Sequence, residues 1–277
     1  MNPPALVLVA HGTRSARGVR MIEELSSAVA QQLSVPTHDP GVRPTHDPGM
    51  LLAGISTLDS GQKHAGIKDV GDAGAAKVGV PVRTAFVDVL GPSPAEVLRN
   101  LGDRPAVVVP AFLASGYHVY QDVPREVAAS AHPAVAVTAA MGPDPLLARV
   151  LGMRLCEEGW QPGDAVVLAA AGSSDARARH DVRSAARMLG EQVGRTTPVA
   201  YIATGSPRVP EVVAALRESG ATRVFVASYL LAHGLFHERL RESGADGVTE
   251  PLGTHPLVVR LLVERYRQAV GALEAAA

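Results

Sequence analysis

The distribution of hydrophobic residues predicts buried strands that alternate with amphipathic helices along the chain. Six short runs of Val, Ala and Leu lack polar alternation, which is typical of strands covered on both faces. These runs are Leu6–Ala10, Val82–Val87, Ala106–Phe112, Val166–Ala170, Val199–Ile202 and Val224–Tyr229. Amphipathic patterns predict helices at Val19–Leu33, Pro94–Leu101, Leu146–Glu157, Ala176–Val193, Val209–Ser219 and His255–Leu273. This order favours an α/β fold, with parallel sheets that carry helices on both faces.

The second half of the chain repeats the first. The segment ALVLVAHGTRSARG, which starts at Ala5, returns as AVVLAAAGSSDARA from Ala165. Similarly, RPAVVVPAFLASGYH, which ends at His118, returns as TRVFVASYLLAHGLFH, which ends at His237. We therefore expect two similar tandem domains, residues 1–160 and 161–277, with a cleft between them and a helix that closes each one.

One stretch of the first half has no equivalent in the second. It spans about residues 34–79, repeats PTHDPG at Pro36 and Pro44, and is otherwise rich in Gly and Asp. Such a composition predicts a surface excursion rather than a third domain. Its three histidines are more readily interpreted as incidental than as metal ligands: they are His38, His46 and His64.

The two repeats differ at the positions best suited to chemistry. His11 aligns with Ala171 and Asp88 with Ala203, while His118 has only a rough counterpart in His237. Residues needed for packing should persist in both halves, whereas reactive residues are needed in only one. His11, Asp88 and His118 each follow a predicted strand, and the carboxyl ends of parallel strands share one edge of the sheet. They suit either a divalent transition metal with open coordination positions or a base with its orienting partner.

Composition and missing motifs exclude several classes of function. A net charge of −1 argues against a nucleic-acid-binding surface. The single cysteine, Cys156, cannot form an intramolecular disulfide. We find neither a signal peptide nor an apolar run long enough to span a membrane. We therefore expect a cytoplasmic protein. The sequence also lacks GxxxxGK[ST], G-x-S-x-G, CxxC and HExxH, which argues against a P-loop nucleotide site, a hydrolase elbow and common zinc sites.

Three motifs resemble those of the sirohydrochlorin chelatase family, the class II chelatases of siroheme and cobalamin synthesis. They are LVLVAHGTR, FVDVLGPS and VVVPAFLASGYHVYQDVP. The resemblance implies that His11 and His118 hold the incoming metal and that Asp88 assists them. Asp88 stands where the family often has Glu, so its carboxylate is one methylene shorter.

The same resemblance implies a reaction and its partners. The expected reaction inserts Fe²⁺, or alternatively Co²⁺, into sirohydrochlorin, with the metal as substrate and no nucleotide or other cofactor. Arg14, Ser115, Gly116 and His237 are the expected substrate-binding residues. We expect no nucleic-acid or membrane partner, and we expect a monomer, because two fused halves can replace a dimer of short chains.

Two other classes of function share some of these features. A non-catalytic carrier of tetrapyrrole or metal would keep the histidines but show no turnover. A periplasmic-type binding protein would share the two-lobed α/β architecture but needs an export signal. The His-Asp-His set favours catalysis over both.

Overall fold

A computed structural model describes residues 2–35, 79–88 and 90–275. Most of the unmatched stretch lies outside these residues, including His38, His46 and His64, so its interpretation as a surface excursion stays a prediction. None of the helices in the described ranges combines the length and apolar composition that a membrane span requires.

The first half forms a four-stranded parallel sheet in the order β2-β1-β3-β4. In chain order its elements are β1 (Ala5–His11), α1 (Ala16–Ser34), β2 (Val82–Val87), α2 (Pro94–Asn100), β3 (Ala106–Pro110), a π-helical turn (His118–Asp122), α3 (Val123–Ser130), β4 (Val135–Val137) and α4 (Pro145–Glu157).

The second half repeats this topology in a second parallel sheet, with the order β6-β5-β7-β8. Its elements are β5 (Ala165–Gly172), α5 (Ala176–Val193), β6 (Val199–Thr204), α6 (Val209–Glu218), β7 (Val224–Tyr229), α7 (Leu235–Leu240), β8 (Gly247–Val248) and α8 (Pro256–Ala275). The predicted fold class is confirmed. Each strand and helix predicted from the sequence begins and ends within three residues of an observed one.

Strand β1 illustrates why these runs are apolar without alternation. Leu6 and Leu8 point into a core on one face of the sheet, whereas Val7 and Val9 point into a core on the other. All four are fully buried. A strand with helices on both faces needs an apolar side chain at every position.

The helices that we expected to close each half cross over to the other half instead. Helix α4 ends the first repeat but packs against α5 and β7 of the second. Helix α8 ends the second repeat but packs against α1 and β3 of the first. The expectation was wrong because an amphipathic pattern shows that a helix buries one face, not which sheet covers it.

This exchange creates one hydrophobic core between the two sheets. The core joins Leu25 of α1, Leu151 of α4, Leu189 of α5 and Leu262 of α8 in a single cluster of buried side chains. Helices α2 and α3 cover the outer face of the first sheet, and α6 and α7 cover that of the second. The boundary near residue 160 remains a proposal about where the sequence repeats meet.

The crossover predicts that a cavity in α8 destabilises the first half. We expect Leu262→Ala to lower the free energy of unfolding by about 2–5 kcal/mol, the usual cost of truncating a fully buried leucine. Urea unfolding measures the loss of free energy. Hydrogen exchange should show reduced protection of the amides of β1 and β3. Arg267→Ala, at an exposed position of the same helix, should change stability little. Unchanged protection in β1 and β3 would contradict the crossover.

Candidate active site

The structure brings His11 and His118 together at the carboxyl end of the first sheet. His11 is the last residue of β1, and His118 opens the π-helical turn that follows the neighbouring strand β3. The centroids of the two imidazole rings lie 5.1 Å apart. Phe112 stacks on the His118 ring at 5.9 Å and Tyr117 meets it edge-on at 6.1 Å. Aromatic neighbours on two sides restrict the orientation of this ring.

Asp88 joins this pair from β2, the other neighbour of β1. Its backbone is left-handed, with φ of 65°, a conformation that Asp adopts more readily than most residues. The exposed carboxylate lines a cavity of about 490 Å³ together with His118 and Asp122. The three predicted residues thus converge, as expected from strands that end at one edge.

Asp122 fixes the orientation of the His118 ring, and sequence reasoning missed this role. The Oδ2 atom of Asp122 lies 2.6 Å from Nδ1 of His118, and the aspartate is buried. Because an ionised carboxylate only accepts hydrogen bonds, the neutral ring paired with it carries its proton on Nδ1 and keeps a lone pair on Nε2. Histidines that bind metals commonly use this arrangement. The spacing of four residues within HVYQD was the available signal.

The second half holds the loop that leads to His118. The Asp181 carboxylate, on α5, accepts a hydrogen bond from the backbone N–H of Ser115 at 2.8 Å. The buried Tyr229 hydroxyl, at the end of β7, donates to the carbonyl of Leu113 at 2.8 Å. Burial, reinforced by the charges of Asp181 and Asp144, keeps the pKa of Tyr229 far above its usual value, so the hydroxyl stays protonated. Side chains of one half therefore position the site of the other.

The expected substrate-binding residues occupy different surroundings. Arg14 is exposed in the turn after His11, and the carbonyl of Gly116 accepts hydrogen bonds from the first residues of the π-helical turn. Ser115 is half-buried in the loop described above. His237 lies in the second half, buried in α7 beside His233. The roles of these residues in binding substrate remain predictions.

Two further arginines of the first half are engaged in ion pairs. Arg125 lies 2.8 Å from the Oδ1 atom of Asp122, and Arg17 lies 3.6 Å from Oε2 of Glu250. Arg125 thus neutralises the carboxylate that orients His118.

The surroundings of His11 keep its imidazole neutral. Burial lowers its pKa below the usual 6.5, and the nearby His118 lowers it further. The Asp88 carboxylate and a hydrogen bond to the carbonyl of Val87 oppose this shift without cancelling it. Near pH 7 the His11 ring is therefore mostly neutral, which is the form that binds metal ions.

Replacing Asp122 should weaken metal binding without removing a ligand. Asp122→Asn keeps the shape of the side chain but loses the charge that fixes the protonated nitrogen of His118. We expect Co²⁺ affinity to fall by about 10- to 100-fold, as for other residues that orient a ligand. Calorimetric titration measures it, with Arg125→Gln as a milder control and thermal unfolding as a check on folding. Unchanged Co²⁺ affinity would exclude an orienting role.

The opposing influences on His11 predict pKa shifts of opposite sign. His118→Phe keeps an aromatic ring beside His11 but removes its charge, so the pKa of His11 should rise. Asp88→Asn removes a stabilising negative charge, so the same pKa should fall. Titration of the His11 imidazole by NMR resolves both changes, and shifts of the same sign in both variants would refute this electrostatic account.

Comparisons with known proteins agree with this architecture. The sequence model of the CbiX family matches residues 60–158 and 165–269, one stretch in each half and together more than half of the chain. The sirohydrochlorin ferrochelatase of Bacillus subtilis (strain 168) is 28% identical over 211 residues, which cover 70% of this chain and 81% of that protein.

Solved structures share the fold at low sequence identity. SirB from Bacillus subtilis with Fe³⁺ superposes with a TM-score of 0.71 at 19% identity, covering 99% of this chain and 98% of that one. The sirohydrochlorin chelatase SirB from Bacillus subtilis subspecies spizizenii, in complex with cobalt, gives 0.66 at 18% identity, with 99% and 97% covered. CbiX, described as the terminal enzyme for siroheme biosynthesis in denitrifying bacteria, gives 0.60 at 19% identity, with 96% and 99% covered.

The family match begins after His11, so the interpretation of that residue rests on its motif and geometry rather than on the match. The two matched stretches correspond to the two sequence repeats, which confirms the resemblance drawn from the motifs. This chain belongs to the CbiX family.

Proposed function

We propose that this protein inserts a divalent metal ion, Fe²⁺ or alternatively Co²⁺, into sirohydrochlorin. The observation that carries the proposal is the His11–His118 pair, in which His118 lines an open cavity and has its ring oriented by Asp122. Family membership and the relative named sirohydrochlorin ferrochelatase support the choice of substrate.

The ligands suit a metal that must be captured and then released. Nε2 of His118 is free to bind because Asp122 occupies Nδ1, and His11 offers a neutral ring 5.1 Å away. Neutral imidazoles bind borderline divalent ions such as Fe²⁺ and Co²⁺ well, whereas several thiolates would hold them tightly. Two imidazoles leave coordination positions open for the nitrogens of the macrocycle.

Metal insertion also requires that two N–H groups of the macrocycle lose their protons. Asp88 lies on the cavity wall close enough to influence the pKa of His11. Once the metal has moved to the macrocycle, His11 and Asp88 are a base and its charged neighbour at the site of transfer. We assign proton removal to this pair, and we assign metal delivery to His11 and His118.

The surroundings of the site can hold a flat substrate that bears many carboxylates. Tyr117 and Tyr120 are exposed aromatic side chains next to His118, and Arg177 of the second half lies 4.0 Å over the Tyr120 ring. Arg14 is exposed in the turn that follows His11. Aromatic faces can stack on a macrocycle, and guanidinium groups pair with carboxylates in a bidentate manner.

We further propose that the metal is a substrate rather than a resident cofactor and that the reaction uses no nucleotide. A monomer is supported by the two fused halves, each of which contributes to the site. A cytoplasmic location is supported by the single cysteine, Cys156, which leaves no intramolecular disulfide.

An anaerobic insertion assay with sirohydrochlorin tests this function. The purified protein is mixed with Fe²⁺, Co²⁺ or Ni²⁺, and the change in macrocycle absorbance is followed. We expect His11→Ala and His118→Ala to lower turnover by at least about 100-fold, since each removes a metal ligand at the carboxyl edge of the sheet without opening a core cavity. Asp88→Asn should lower turnover by less than either histidine substitution. The amide keeps the shape of the side chain, although it accepts no proton.

His180→Ala is the matched control, because His180 is an exposed histidine on α5 outside the proposed site. Near-normal turnover in either His11→Ala or His118→Ala would refute the assignment. If the wild-type protein binds both metal and sirohydrochlorin but forms no metallated product, the chain is a carrier rather than an enzyme.

A further inference from the structure

The second half contains a separate group of metal-ligating side chains that the proposed reaction does not use. His233 lies in the loop between β7 and α7, His237 lies in α7, and Glu250 follows β8. Because β7 and β8 are neighbours in the second sheet, their carboxyl ends bring the three residues together.

The geometry of this group is compact enough for a single ion. One ligand atom from each of the three side chains lies within 4.8 Å of the others, and Nε2 of His233 is 3.0 Å from Oε2 of Glu250. The two imidazoles are buried, at 7% and 3% exposure, whereas the Glu250 side chain is 43% exposed. An ion would therefore bind two buried imidazole nitrogens and would reach them from solvent on the side of the Glu250 carboxylate.

Hydrogen bonding presents a lone pair of His237 for binding. Nε2 of His237 lies 3.0 Å from the carbonyl oxygen of Thr249 in the protein interior. A carbonyl only accepts hydrogen bonds, so Nε2 carries the proton and Nδ1 keeps its lone pair. A backbone carbonyl behind the ring is a common way of orienting a histidine that binds a metal.

The charges around the group do not prevent binding. The side chains of Arg17 and Arg241 each lie 3.6 Å from an oxygen of Glu250. Both guanidinium groups are well exposed, at 60% and 62%, so an arriving cation can displace them into solvent at little cost.

We propose that His233, His237 and Glu250 form a second site for a divalent transition metal, distinct from the pair that serves the proposed function. Two imidazoles and one carboxylate with open positions suit Zn²⁺, Co²⁺, Fe²⁺ or Ni²⁺ rather than Mg²⁺ or Ca²⁺.

The second site lies against the first half of the chain. A Cβ atom added to Gly18 of α1 would lie 2.5 Å from the carbonyl oxygen of His233, so only glycine permits this approach. Gly234 also neighbours the turn after His11, at ordinary contact distance, since a Cβ added there would lie 3.5 Å from Oγ1 of Thr13. A metal on His233 therefore fixes the loop that touches the active-site turn.

The test uses the full chain with the first site removed. His11→Ala and His118→Ala are combined, and His38, His46 and His64 are also changed to alanine so that they cannot contribute ligands. We expect this variant to bind one equivalent of Co²⁺ by calorimetry, to develop visible Co²⁺ absorption bands and to unfold at a higher temperature when Co²⁺ is present. Adding Glu250→Gln should weaken Co²⁺ binding by at least about tenfold.

Control variants separate ligand loss from misfolding. Glu250→Gln is nearly isosteric at a half-exposed position, so its unfolding temperature without metal should match that of the parent. His233→Ala should also lose Co²⁺ binding, whereas His180→Ala should retain it. The proposal is overturned if the parent variant binds no Co²⁺, or if Co²⁺ binding persists unchanged in Glu250→Gln and His233→Ala.

This result is independent of the insertion assay. Co²⁺ binding without wild-type turnover would refute the proposed function and leave the second site intact. If the wild-type protein turns over but the variant without the first site binds no Co²⁺, the second site is refuted and the proposed function stands.

Discussion

The exchange of helices α4 and α8 between the two halves is the interaction on which the rest of the structure depends. Each sheet buries its inner face partly against a helix that belongs to the other repeat. Leu151 of α4 and Leu262 of α8 are fully buried in the same core as strands of both sheets. Burying apolar area is the dominant favourable contribution to folding, so neither half retains its full contribution without the other.

The exchange also explains how the second half serves a site that it does not contain. With the two sheets held around one core, Asp181 and Tyr229 reach the loop that carries His118. The loop is thus fixed by the second half, while Asp122 fixes the ring from within its own turn. Contacts on two sides thus hold the His118 ring in one orientation, as a preorganised site requires.

Much of this arrangement follows from the sequence. The parts that do not follow from it have identifiable physical causes. The apolar runs identified the main strands because burial on both faces leaves no room for polar alternation. The contrast between His11 and Ala171 pointed to the first half as the place of the site, and the structure brings His11 and His118 together there. Strands β4 and β8 were missed because three and two residues are too short to form a recognisable run.

The crossed helices and the surroundings of the ligands could not be predicted in the same way. Each depends on which distant surfaces meet, and a periodic pattern records only that a face is covered. His237 illustrates the limit, because the repeat located this residue but did not indicate that its ring is buried against Thr249. The pairing of His118 with Asp122 was missed for a different reason, since no helix was predicted at His118–Asp122 and the spacing of four residues was therefore not interpreted as a contact.

The position of α8 also determines when the first sheet can complete its packing during synthesis. His11, Asp88 and His118 are made well before α8, yet α1 and β3 pack against that helix. The first sheet therefore waits, with an apolar face uncovered, until α8 has been made. A nascent chain arrested before α8 would carry every proposed metal ligand without the packing that holds them in place.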